Sequence, residues 1–166
     1  MYQKEGLWSL FRTQFILMQK RNMTEEERLD FIATFDINHP CTLVGFCVLG
    51  GIYAEGIDLV GERLIGSIVI GVGLPRVSLE RNILKEYYDN NDEDGYTCAY
   101  LYPGMTRVLQ AAGRVIRSEN DRGIVILIDD RFAEPRYKKL FPLHWRQAKF
   151  VTDPHTMKRL LNKFWE

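Results

Sequence analysis

Apolar residues along this chain come in short, nearly continuous runs separated by stretches in which apolar positions recur every three or four residues. Four runs read as strands: Phe15–Met18, Leu43–Val48, Ser67–Ile70 and Ile124–Ile128. A run apolar on both alternating faces fits a strand covered from above and below, and strands alternating with helical segments predict a mostly parallel α/β sheet with helices on both faces. Thr24 followed by Glu27 is a capping box, with Leu29, Ile32, Ala33 and Phe35 as the expected buried side of the helix it opens. A short helix is expected around Leu7–Phe11. Leu74-Pro75 forces a break after the third run, and Ile83 and Leu84 anchor the next helix. At the C-terminal end, Asp153-Pro154 pairs a cap with a first-turn proline, and Met157, Leu160, Leu161, Phe164 and Trp165 form an apolar stripe.

The helix expected over Gly104–Ser118 carries the most chemistry. Met105, Val108, Leu109, Ala112, Val115 and Ile116 give it a sheet-facing side. Arg107, Gln110, Arg114 and Arg117 project within roughly 80° of one another on a different side, a row of anion-binding donors. Gly113 costs about 1 kcal/mol relative to alanine in a helix interior, so its presence suggests the close approach of another backbone or a ligand. A solvated basic face with an incidental glycine remains the alternative on these residues alone.

A second informative stretch, LGGIYAEGID from Leu49 to Asp58, follows the second strand run. Paired glycines at the carboxyl end of a parallel strand suit backbone contact with a phosphate. They are equally the composition of an ordinary turn. Glu55 and Asp58 fit either ribose and arginine partners or turn and cap positions.

Composition narrows the classes. The chain has 166 residues, 46% of them hydrophobic, and 22 basic against 22 acidic side chains, the content of one globular domain with no basic field over its whole surface. No apolar run reaches the roughly 18 residues of a membrane span, and the start MYQKEGLW has no signal-peptide pattern. A cytoplasmic location is expected, with no membrane partner. Cys41, Cys47 and Cys98 form no CxxC pair, and His39, His144 and His155 lie far from them in sequence, so neither a metal site nor a disulfide framework is expected. The acidic stretch Asp89–Gly95 puts Leu101 where a calcium loop needs its terminal glutamate, and reads instead as a solvated or mobile loop.

In order, GGIYAEGIDL, GSIVIGVGLP, LQAAGRVIRSENDRG and DDRF resemble the second RecA-like motor domain of superfamily 2 DNA helicases of the XPD/DinG type. The resemblance covers most of the chain and implies a three-layer RecA-like fold. It implies that the Q-x-x-G-R-x-x-R helix faces ATP and Mg²⁺ held by the first motor domain, with Arg114 and Arg117 nearest the γ-phosphate, Gln110 coupling nucleotide to the motor interface and Gly113 permitting close approach. By the same resemblance Gly56 and Asp58 lie near the ribose or the interdomain arginines, Glu55 links nucleotide state to the strand-binding side, and Gly51 and Tyr53 face single-stranded DNA through backbone amides and stacking. Translocation 5′ to 3′ in DNA repair or replication is implied in the same way.

Departures from the family pattern are as informative. The sequence has no G-x-x-x-x-G-K-[ST] loop and no acidic box, and the four cysteines that hold an iron–sulfur cluster in many relatives belong to the other motor half. A first strand with an aromatic-rich motif is expected ahead of Met1, so the chain reads as a fragment, inactive alone, with an unpaired edge that favours dimerisation. An alternative is a catalytically inactive module that binds nucleic acid or protein, using Arg131, Arg136, Lys138, Lys139, Arg146 and Lys149 as a basic strip. An independent enzyme on a nucleotide or phosphosugar lacks an evident nucleophile or metal constellation.

Overall fold

A computed structural model describes residues 14–36, 38, 41–53, 59, 63–116 and 121–166. The expected helix around Leu7–Phe11 lies outside these residues. All four strand runs form strands, and both pairings are parallel.

β1 (Gln14–Met18) pairs with β2 (Thr42–Phe46) in the register Phe15↔Leu43 to Met18↔Phe46. The Gln19 N–H extends the ladder to the Phe46 carbonyl at 2.9 Å, and the second strand stops two residues before the expected Val48. The connection carries α1 (Glu25–Ala33), whose capping box forms in both directions: Glu27 N–H donates to Thr24 Oγ1 at 3.2 Å, and Thr24 N–H donates to a Glu27 carboxylate oxygen at 2.8 Å.

The buried side of α1 is not the expected one. Leu29 is 59% exposed and Ala33 is exposed, whereas Phe31 is buried, tilted against Phe35 at 5.7 Å and stacked on Tyr53 at 4.5 Å. At 100° per residue Leu29 points about 160° away from Phe31, so the helix cannot bury both. Two aromatic rings remove more apolar area from water than one leucine, and Gly45 on β2 leaves the space that the Phe35 ring fills.

β3 (Gly66–Ile70) and β4 (Ile124–Ile128) form the second pair, in the register Gly66↔Ile124 to Ile70↔Ile128. Between them run α2 (Leu79–Asp89), a π-helical turn (Thr97–Leu101) and, continuous with that turn, α3 (Tyr102–Ala112). Val69 and Val72 from the strand side meet Leu101, Met105, Val108 and Ala112 as buried core. Ile83, the expected anchor of α2, is instead 57% exposed. The polar side of that helix makes the recorded bonds: Arg81 donates to the Ala99 carbonyl at 3.2 Å, and Tyr100 OH donates to Asn82 Oδ1 at 2.8 Å. A π turn interrupts the regular α ladder, and the guanidinium supplies a donor to a carbonyl there.

The acidic loop is solvated, as expected, but ordered by its own carboxylates. Asp89 accepts from the Gly95 N–H at 2.9 Å and pairs with Lys85 Nζ at 2.6 Å, and Asp94 caps Thr97 N–H at 2.9 Å.

Packing divides the chain into two compact units, Met1–Asp129 and Asp130–Glu166. The second begins with a 3₁₀ turn (Asp130–Ala133) and holds α4 (Pro135–Lys138), a 3₁₀ turn at Leu143–Gln147 and α5 (Pro154–Trp165). Phe132 and Tyr137 are its buried rings, and Phe141 bridges Phe132 to Trp145. Asp153 caps α5 by accepting from Thr156 N–H at 2.8 Å. The apolar stripe of α5 forms, yet none of its residues is fully buried.

The whole is an α/β protein with parallel strands, consistent with a RecA-like fold.

Candidate functional site

The helix that bears the arginines ends earlier than its sequence pattern predicts. Gly113 is the C-cap of α3, not an interior residue: its N–H completes the last α bond to Leu109 at 2.8 Å. Arg114 and Val115 then donate to Ala111 and Ala112, three residues back, at 3.4 and 3.2 Å. This tightening accompanies burial of Val115, whose methyl packs on Gly123 where a side chain would otherwise sit. Gly113 has φ −66°, is exposed, and has only helix carbonyls near its Cβ position, Leu109 O at 3.1 Å and Gln110 O at 3.9 Å. Among the described residues no other backbone makes the close approach expected there.

The helix end also means that the α projection used to align Arg114 with Arg107 and Gln110 does not extend past Ala112. Arg107 turns inward: its side chain lies against Gly50, and Nη1 donates to the Gly73 carbonyl at 3.2 Å. Gln110 is exposed, and Arg114 is half-buried on the tightened turn. Arg117 lies outside the described residues, as do Glu55, Gly56 and Asp58.

The turn that leads into those acidic residues is described. Gly50 adopts φ +75°, a conformation open to glycine. The Gly51 N–H donates to the Val48 carbonyl at 2.9 Å, so the amide expected to contact DNA is engaged within the turn. Tyr53, expected to stack on a base, is only 4% exposed, with its ring on Phe31 and its hydroxyl on the Met23 sulfur at 3.4 Å. An aromatic ring beside two phenylalanines buries more area there than it would on a solvated rim.

A groove of about 330 Å³ opens beside this turn, where the carboxyl ends of β1 and β2 release their chains. Lys20, Arg21 and Asn22 line it from the turn after β1, Arg28 from α1, and Val48 and Gly51 from the turn after β2. Gln19 fastens the two rims, its side-chain oxygen accepting from the Val48 N–H at 2.8 Å. Arg28 Nη1 is 3.5 Å from Glu25, while its Nε is buried and has no hydrogen-bond partner among the described residues, an uncommon state for a buried donor. Glu25, in the first turn of the same helix, partly offsets the Arg28 charge. Burial raises the Tyr53 phenol, which stays neutral at ordinary pH.

The helicase C-terminal domain family matches residues 3–148, most of the chain. This chain belongs to that family. A "Regulator of telomere elongation helicase 1 homolog" of Aedes aegypti is 31% identical over 166 residues, 93% of this chain and 16% of that protein. A probable ATP-dependent helicase of Methanocaldococcus jannaschii is 34% identical over 99 residues, 54% of this chain and 15% of the relative. A Staphylococcus aureus protein named 3'-5' exonuclease DinG is 51% identical over 54 residues, 30% of this chain and 6% of that protein. The domain thus spans about one-sixth or less of these relatives.

Sequence reasoning missed the groove of this helicase domain. Its cations sit in QKRN, directly after the first apolar run, which is the signal that could have drawn attention to them. The basic strip weighed as an alternative belongs to the second unit, where Lys138 lies over the Phe150 ring at 4.2 Å. Among the described residues no group of three or more His, Cys, Asp or Glu is placed to hold a metal ion, and no helix is long and apolar enough to cross a membrane.

Proposed function

We propose that this domain is the second motor half of an ATP-dependent DNA helicase and that the groove beside Gly51 holds the backbone of single-stranded DNA. The observation that carries the strand assignment is the convergence of Lys20, Arg21 and Arg28 on one groove. Phosphate neutralised by such cations releases counterions and gives binding without sequence preference. Asn22 and Gln19 add polar groups at the rim. In this reading the partner is the first motor domain of the same helicase, which holds ATP and Mg²⁺. The donor set here fits that division, because it offers arginines but, among the described residues, no acidic cluster for a metal.

Arg114 and Arg117 are then the cations facing the γ-phosphate. When negative charge spreads over the transferring phosphoryl group, a planar guanidinium binds two of its oxygens at once. Such a residue contributes about 10³ to 10⁵ in rate. In this reading Gln110, exposed near the end of α3, couples the nucleotide to the motor interface. Gly56, Asp58 and Glu55 complete the nucleotide side of the reading, and movement from 5′ to 3′ is its direction. Its support is the resemblance in the motifs.

The test joins this domain to a P-loop motor domain of the same helicase and measures single-stranded-DNA-stimulated ATP hydrolysis. Arg114→Ala and Arg117→Ala are expected to cost about 10³-fold or more with nucleotide binding retained. A double Lys20→Ala/Arg21→Ala change should instead raise the DNA concentration needed for stimulation and flatten its salt dependence. Indifference of hydrolysis to both arginines would leave the second reading, a module that binds strands without driving them.

A further inference from the structure

Three glycine-bearing segments meet at one point of the first unit: the turn Leu49–Gly51 after β2, the turn Gly71–Leu74 after β3, and the first turn of α3. Gly73, at φ +63°, presents its Cβ position 2.9 Å from the Gly104 carbonyl and 3.0 Å from Leu49 Cδ2. Gly104 presents its own position 2.8 Å from the Val72 carbonyl. Between them runs Arg107. Its Cδ, Nε and Cζ lie 2.8, 2.9 and 3.4 Å from where a Gly50 side chain would begin, and Nη1 donates to Gly73 O at 3.2 Å. The guanidinium therefore touches both turns at once, while its backbone belongs to α3.

We infer that Arg107 is a positioning residue, not a member of the anion-binding row, and that it couples the placement of α3 to the turn that walls the DNA groove. The physical case is shared space: Arg107 Cδ and Nε lie 2.8 and 2.9 Å from where a Gly50 Cβ would stand, inside the roughly 3.4 Å of an ordinary contact, so the side chain occupies the volume that the glycine leaves open. A shift of α3 along its axis thus pushes Gly50 or breaks the bond to Gly73. From Gly50 the displacement reaches Gly51, which lines the groove, and Val48, which Gln19 ties to β1. At the other end, Arg107 precedes Gln110 by one helical turn, and the tightened turn that follows Ala112 carries Arg114. A planar guanidinium fills this slot flat against a glycine, whereas the compact ammonium of lysine would not. The use of the coupling rests on the proposed function above. Its geometry does not.

The experiment compares the native chain with Arg107→Ala, Arg107→Lys and Gly50→Ala. It combines amide hydrogen exchange, urea unfolding and titration of a fluorescent oligo-dT across a range of salt. Arg107→Ala is expected to speed exchange selectively in residues 48–53 and 71–75 and to weaken oligo-dT binding about 3- to 30-fold. The salt slope should be unchanged, because no phosphate contact is lost. Arg107→Lys should not restore the native pattern, and Gly50→Ala should disturb 48–53 from the opposite side if Arg107→Ala fails to fold.

A salt slope reduced by about 0.7 would make Arg107 a direct phosphate contact and overturn the inference. Exchange that rises evenly with the loss of global stability, or not at all in 48–53, would overturn it equally. Absence of oligo-dT binding by the native chain would refute the groove assignment alone. The exchange pattern would then still decide the role of Arg107.

Discussion

Gly104→Ala should destabilise the protein even though alanine is the better helix former. Gly104 sits in the first turn of α3, where replacement by alanine is worth at most about 1 kcal/mol of helix propensity. Against that, the added methyl would stand 2.8 Å from the Val72 carbonyl oxygen, 3.0 Å from Leu74 Cδ2 and 3.2 Å from Leu74 Cα. Two of those three atoms are backbone, held in place by the Gly71 N–H to Ile128 bond at 3.0 Å and by the Arg107 bond to Gly73. Forcing an extra carbon into such a site costs about 1–3 kcal/mol. With the full propensity gain the difference leaves a net loss of up to about 2 kcal/mol, or a melting temperature lower by up to roughly 8 °C for a chain of this size. Urea unfolding followed by far-ultraviolet circular dichroism reads it as a lower midpoint at unchanged slope. Gly113→Ala is the internal control, because that glycine is exposed at φ −66° and should be neutral or slightly stabilised. If Gly104→Ala matches Gly113→Ala, the interlock of α3 with the turn after β3 does not exist as described.

Two further outcomes follow from other parts of the molecule. Tyr53→Leu should leave oligo-dT affinity within about twofold while lowering stability, because the ring packs on Phe31; a base-stacking residue would instead lose the roughly 1–3 kcal/mol that each stacked base contributes. Asp153 caps α5, and its hydrogen bonds to Thr156 hold the carboxyl below its ordinary range. The sign follows from linkage: with the folded value depressed, the stabilisation is complete above the unfolded value and is lost as pH falls through the folded one. Helix content of α5 should therefore drop below about pH 4 in the native chain, and Asp153→Ala should abolish that dependence in pH-resolved hydrogen exchange. A native profile identical to that of Asp153→Ala would refute the cap.

What the sequence determined by itself was local or ordered along the chain. The four apolar runs became four strands because β-branched and aromatic side chains favour an extended chain, but the coverage expected on both faces is not seen: among the described strand residues only Val69 is buried, while Phe15, Met18, Ile68 and Ile70 stand largely exposed. The caps at Thr24 and Asp153 formed because their partners lie three residues away. Family membership was legible in the order of GGIYAEGIDL, GSIVIGVGLP and LQAAGRVIRSENDRG, which needs no coordinates.

Tertiary structure decided whatever depends on which surface a helix meets. Phe31 displaced Leu29 as the buried residue of α1 because Gly45, on another element, made room for aromatic rings. α3 stopped at Ala112 where Val115 packed toward Gly123, so a periodicity that runs to Ile116 overshot the helix. Arg107 left the row predicted for it because two turns distant in sequence offered a carbonyl and a bare glycine. The groove exists only because parallel pairing of β1 and β2 brings Lys20 and Arg21 beside Val48 and Gly51. Helical projection and motif spacing describe one segment at a time, whereas the choice among its faces is made by whatever packs against it.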